Sequence, residues 1–221
     1  MHEPVLVAEV ISHLAPARGG LFVDCTLGAG GHTRALLAAG ASRVLGFDRD
    51  RSALALAAAN LEDCRDRVEM VHADYRTLGD VLDARRIAGV DGGILADLGV
   101  SSMQLDDAAR GFSFRADAAL DMRMDRDSGQ PASAMLQDVD ETALADVIYQ
   151  FGEERFSRRI ARAIVRARET GPIETTGQLA AIVRRAVPTR GWQRIDPATR
   201  TFQALRIWVN GELDGLDAFI R

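Results

Sequence analysis

The chain has 221 residues, of which 47% are hydrophobic and 27% charged, which suits one sizeable packed domain or a domain carrying a smaller insert. No apolar run approaches the roughly 18 residues of a membrane span, and the opening MHEPVLVAEV lacks the basic start and apolar core of a signal peptide. Two cysteines without disulfide or metal spacing, Cys25 and Cys64, exclude a disulfide scaffold, whereas a net charge of −5 excludes no class of partner.

The first hundred residues alternate strand and helix signals. Short apolar runs at LFVDCTL (Leu21–Leu27), RVLGFD (Arg43–Asp48), VEMVHAD (Val68–Asp74) and GGILADL (Gly92–Leu98) predict four strands. Between them HTRALLAAG, RSALALAAANLED and TLGDVLDARRI predict helices. Strands alternating with helices of this length give βαβ units, hence a parallel sheet with right-handed connections. After Leu98 the alternation stops. Residues 99–130 read as an irregular Gly-, Ser- and Asp-rich loop, and residues 140–186 as helices bounded by Asp140, Gly171-Pro172, Thr175-Thr176 and Pro188. The expected organisation is a nucleotide-binding α/β half over 1–104, a helical insert over 105–205, and a return helix over 206–221.

The loop after the first strand, LGAGGHT, sets the ligand class. Gly28, Gly30 and Gly31 allow a sharp turn and close backbone approach, and Asp48 follows Gly28 by 20 residues, the position of an acid that accepts from ribose hydroxyls. A dinucleotide fingerprint requires a third glycine where this chain has Thr33. That weakens a nicotinamide oxidoreductase. Acids at the strand ends (Asp24, Asp48, Asp74, Asp97) suit a methyl donor, S-adenosylmethionine, which has a ribose and an amino acid part but no pyrophosphate.

HEPVLVAEV, DCTLGAGGHT, GFDRD, DLGVSSMQLDDAARGFSFRADAALDMRMD, FGEERFSRRIARAIVRAR and DPATRTFQALRIWVNGEL together resemble the MraW/RsmH family. The resemblance runs from His2 to about Leu213. It implies a Rossmann-like class I methyltransferase with a mainly parallel sheet in the order 3-2-1-4 and an inserted helical substrate domain. It further implies S-adenosylmethionine as methyl donor, and as substrate the N4 amine of a cytidine in 16S ribosomal RNA of the small ribosomal subunit. Donor contacts carried over by position are Gly30, Gly31, His32, Asp48, Tyr75, Asp97 and Gln104. Tyr75 stands where the family often has phenylalanine, and Asp196 where many members have histidine. Members also continue past the segment matching Arg221, with further strands and a motif like ISFHSLEDR. The resemblance thus implies a missing C-terminal part, leaving GGILADL as a sheet edge that is expected to pair in a homodimer, to be covered by the insert, or to promote aggregation.

An exocyclic amine needs no cysteine attack on the ring, and neither cysteine has the setting of a nucleophile. The amine lone pair is delocalised into the ring, so an acceptor for its N–H bonds is required. Asp97 is the candidate, either in that catalytic role or as a donor contact only. His32 is either a ligand contact or a helix-start residue bonded to backbone. The four histidines have no metal spacing. For RNA, residues 151–221 hold 13 arginines against 8 acids and residues 1–150 hold 14 against 24; the differences, +5 and −10, sum to the net −5. The helix FGEERFSRRIARAIVRAR sets Arg155, Arg158, Arg159, Arg162 and Arg166 along one face, joined by Arg184, Arg185, Arg190, Arg194 and Arg200 as a phosphate-binding surface or a solvated one. Arg110, Phe112 and Phe114 in RGFSF are placed to receive a flipped base or to be buried.

Overall fold

A computed structural model describes residues 4–188 and 195–220. The chain divides into two compact units, one of residues 1–99 with 215–221, the other of residues 100–214. In the first unit a helix α1 (Val7–Leu14) precedes β1 (Leu21–Asp24), α2 (Gly31–Ala38), β2 (Arg43–Asp48), α3 (Arg51–Asn60), β3 (Val68–His72), α4 (Leu78–Ala84) and β4 (Gly93–Leu95). All pairings are parallel, and the strand order is β3-β2-β1-β4. The fold is therefore α/β with a parallel sheet, as the alternation predicts. The reason is burial on both faces. Phe22 and Val44 pack into a cluster with Leu36 and Leu61, while Val23, Leu45 and Phe47 pack into another with Tyr75 and Leu78. Each such large side chain, fully buried, contributes about 1.5–3 kcal/mol.

Two elements differ from the sequence expectation. The strand alternation does not announce α1, whose Val10, Ile11 and Leu14 rest on the Phe22 cluster. The fourth strand is shorter than the run Gly92–Leu98. Its partner β1 ends at Asp24, Cys25 N–H still donates to the Leu95 carbonyl at 2.8 Å, and Asp97 N–H is then taken by the Thr26 hydroxyl. A side-chain oxygen replaces the next rung of the ladder there.

The second unit is helical: α5 (Ser102–Asp106), α6 (Ala132–Asp138), α7 (Glu141–Gly152), α8 (Ser157–Arg168), α9 (Thr176–Ala186) and α10 (Ala198–Asn210). Its helix starts follow local chemistry. Asp140 accepts from the amides of Thr142 and Ala143, and Thr175 with Gln178 closes a reciprocal capping box. Leu144, Ile148, Ile160, Ile164, Leu179 and Leu205 are wholly buried in its core. The chain returns to the first unit in α11 (Leu216–Ile220), whose Phe219 meets Tyr75 edge-on at 4.8 Å between ring centres. No helix of the described residues is long and apolar enough to cross a membrane.

Candidate active site

The site grows from the carboxyl end of β1. Asp24 is fully buried, accepting from the Thr33 hydroxyl at 2.8 Å and the Thr26 amide at 3.2 Å. Burial pushes its carboxyl up, against the lowering effect of the Thr33 and Thr26 hydrogen bonds. Thr33 itself is 0% exposed. The residue that breaks the dinucleotide fingerprint therefore ties the first turn of α2 to the end of β1. In the sequence Thr33 shows only as an absent glycine. Its pairing with Asp24 was the missed signal.

Between them the glycine loop is held from both sides. Gly28 sits at φ 54, a left-handed conformation natural for glycine, and a Cβ there would face open space, with nothing nearer than 3.9 Å. Gly28 N–H donates to Asp48 Oδ2 at 2.8 Å, and Asp50 N–H donates to Asp48 Oδ1 at 2.8 Å. On the other side Thr26 Oγ1 receives Asp97 N–H at 2.7 Å. Gly30 and Gly31 serve packing. A Cβ would lie 2.7 Å from Leu61 Cδ1 on the first, and 2.7 Å from Pro4 Cγ on the second. The loop thus lies between the chain at Asp48 and the chain at Asp97, across the ends of neighbouring parallel strands.

The acids around it are electrostatically unlike. Burial raises the Asp48 carboxyl above the ordinary range, with the Asp50 and Gly28 amides pulling the other way. For Asp74 burial also raises, but the hydrogen bonds from Arg76 and the charge of Arg49 outweigh it and leave the carboxyl lowered. Asp97 is exposed, and among the described residues its carboxylate has neither an ion-pair nor a hydrogen-bond partner. His32 is 7% exposed and its Nε2 lies 2.8 Å from the Val5 carbonyl oxygen. Tyr75 is buried against Phe219. Burial, with the Asp24 charge, pushes the Cys25 thiol up to about 12, which keeps it a thiol and a poor nucleophile.

The remaining expected residues lie in the helical unit. Gln104 is 8% exposed and forms a capping box with Ser101. Arg110 is buried, its Nη2 donating to the carbonyls of Arg123 and Met124 at 3.0 Å each. Phe112 is buried in the helical core, and Phe114 packs edge-on against Phe202 at 4.7 Å with the Arg184 guanidinium over its other side. Arg158, Arg159 and Arg162 are exposed on α8. Arg190 and Arg194 fall outside the described residues. Asp196, at the family's frequent histidine position, accepts from Arg184 at 2.8 Å and from the Ala198 amide at 2.9 Å, opening α10. Asn210 was not singled out by sequence. It is 4% exposed, receives Met124 N–H at 2.7 Å and donates to the Met122 and Arg206 carbonyls, so it pins the DMRMD segment to α10. A lone amide in an apolar helix pattern, just before a glycine that ends it, was the available signal.

A family model described as the MraW methylase family matches residues 1–221. A relative from Geotalea uraniireducens named Ribosomal RNA small subunit methyltransferase H is 52% identical over 219 residues, covering 98% of this chain and 70% of its own. Another of that name from Nitrobacter winogradskyi is 52% identical over 217 residues, covering 98% of this chain and 64% of its own. The chain thus spans 64% to 70% of the length of these curated relatives. Among solved structures, an rRNA methylase from Streptococcus thermophilus is 26% identical and covers 32% of this chain and 45% of its own, at a TM-score of 0.28, an overlap too partial to argue from.

Proposed function

Because this chain belongs to the MraW methylase family, we propose that it transfers a methyl group from S-adenosylmethionine to the N4 amine of a cytidine in 16S ribosomal RNA of the small ribosomal subunit, in the cytoplasm. One observation carries the reading. The glycine loop is bonded at one side to the Asp48 carboxylate and at the other, through Thr26, to the backbone of the exposed, unpartnered Asp97.

The residues suit this donor. Gly28 faces open space on a left-handed backbone, each Asp48 oxygen has a lone pair beyond the one its amide occupies, and among the described residues no arginine pairs with Asp97. In this reading Asp48 holds the ribose hydroxyls, and Gly30, Gly31, His32 and Tyr75 supply further donor contacts within the same unit. Thr33, locked to Asp24, argues against a pyrophosphate cradle and so against the nicotinamide alternative. The donor supplies an electrophilic methyl on a sulfonium. Asp97 accepts an N–H of the cytidine amine, which turns the nitrogen lone pair out of conjugation with the ring. As the nitrogen–carbon bond forms and the carbon–sulfur bond breaks, nitrogen becomes cationic, and the proton it sheds passes to the Asp97 carboxylate or to water.

Methyl transfer to small ribosomal subunits, with donor affinity measured separately by calorimetry, tests this. Asp97→Asn is expected to lower turnover far more than donor affinity, because an amide is the poorer acceptor. Equal losses leave Asp97 a donor contact only, and a chain that fails to bind the donor overturns the reading as a whole.

A further inference from the structure

The helical unit carries a groove of about 680 Å³ between α8 and α9, outside the methyl-donor residues. Arg159, Arg162, Arg166 and Arg185 line it over a small aliphatic floor that includes Ala163 and Ile182. On α8 the three arginines stand at i, i+3 and i+7, hence on one face. Their position alone would describe a solvated helix surface. Their partners say otherwise.

Several other arginines of this unit are engaged, although the exposed Arg158 is not. Arg168 donates to the Leu136 and Val139 carbonyls, Arg184 binds Asp196, Arg206 binds Glu212, and Arg155 lies over the Phe156 ring. In the groove, the side chains of Arg159 and Arg166 have no hydrogen-bond or ion-pair partner among the described residues. Arg185 uses only Nε, donating to the Ala181 carbonyl on its own helix at 3.2 Å. Arg162 meets Glu141 at 3.2 Å in a pair whose side chains are 58% and 40% exposed, an interaction weak enough to exchange. Four guanidinium groups thus share one groove, no carboxylate is among the described residues that line it, and of the four only Arg162 pairs with an acid, Glu141.

We infer that this groove grips the sugar-phosphate backbone of RNA, irrespective of sequence. The inference rests on the reading of the chain as an RNA methyltransferase and adds where the backbone is held. A phosphodiester chain matches guanidinium groups spread along a helix, because a guanidinium can donate to two phosphate oxygens at once. The described residues that line the groove include no aromatic ring to stack a base and no amide or carboxylate side chain to read a base edge. Such contacts position a substrate and leave recognition of the target to another surface.

The test is equilibrium binding of the 221-residue chain to a small-subunit ribosomal RNA helix and to an unrelated RNA of equal length, each across a salt series. The variants are Arg159→Gln with Arg166→Gln, against the charge-matched Arg43→Gln with Arg65→Gln on exposed positions of the other unit. The groove variant is expected to bind both RNAs about tenfold more weakly and to flatten the salt slope by about 0.7–0.9 per arginine, the control much less. Donor affinity, read by calorimetry, should not change in the groove variant. Unaltered RNA affinity and slope, an equal loss in the control, or a wild-type chain that binds no RNA overturns the groove. So does competition by polyglutamate as effective as by RNA, which would make the occupant an acidic peptide. Loss of donor binding in the wild-type chain would instead count against the methyltransferase reading, so the two failures are distinguishable.

Discussion

Removal of the Asp48 carboxylate tests the proposed donor site, because in that reading the two oxygens that hold the loop amides also hold the ribose. In the structure each already receives one amide at 2.8 Å, from Gly28 and from Asp50. A ribose hydroxyl donating to a carboxylate is worth about 1.5–3 kcal/mol, so Asp48→Ala should weaken S-adenosylmethionine about 10- to 150-fold in calorimetry. Both amides are only part-buried, so water can replace the lost acceptor and the loop should survive with a smaller penalty. Repeating the titration with a donor analogue that lacks the ribose hydroxyls closes a double-mutant cycle. If Asp48 holds the ribose, Asp48→Ala costs this analogue less than about 0.5 kcal/mol, since the contact is already gone. If the penalties of variant and analogue simply add, Asp48 acts through the Gly28 loop and the ribose assignment is wrong.

Two further outcomes follow from the same structure. Asn210→Ala strands a buried amide at Met124 and a buried carbonyl at Met122, so urea unfolding should show a loss of at least about 2 kcal/mol; a loss below about 0.5 kcal/mol would remove the pin between DMRMD and α10. Asp74, Asp121 and Asp196 are each raised by burial but lowered further by hydrogen bonds from Arg76, Arg123 and Arg184, leaving every folded carboxyl below the ordinary 3.8. The unfolded chain therefore binds more protons in acid, and the stability these groups supply is present above that value and lost as pH falls through the folded values. Thermal melts from about pH 6 to about pH 3 should fall accordingly, and Arg123→Gln should make that acid limb shallower; an unchanged limb would show that the Asp121 ion pair contributes nothing.

The sequence alone determined the parallel α/β half, because period and composition are local properties. The runs at Leu21, Arg43, Val68 and Gly92 are apolar on both faces, and only a sheet covered by helices on both sides buries such runs. Asp140 and Thr175 were equally legible, since a cap acts on amides two or three residues away. The family motifs, too, are strings of residues, and they carried the chain to its relatives. What lay beyond sequence was every interaction between residues distant along the chain. Thr33 stood out as a missing glycine, but only the folded β1–α2 turn brings its hydroxyl to Asp24. Asn210 reads as an odd amide in an apolar helix until α10 lies against residues 122–124. The arginines from Arg155 to Arg168 look alike in sequence; α9 selects three on α8 by placing Arg185 opposite, while Arg155, just before the helix, is turned onto a ring and Arg168 onto the end of α6. Sequence fixes which side chains share a helix face, but whether a charge on that face is spent or free depends on what tertiary packing sets within 3 to 4 Å of it.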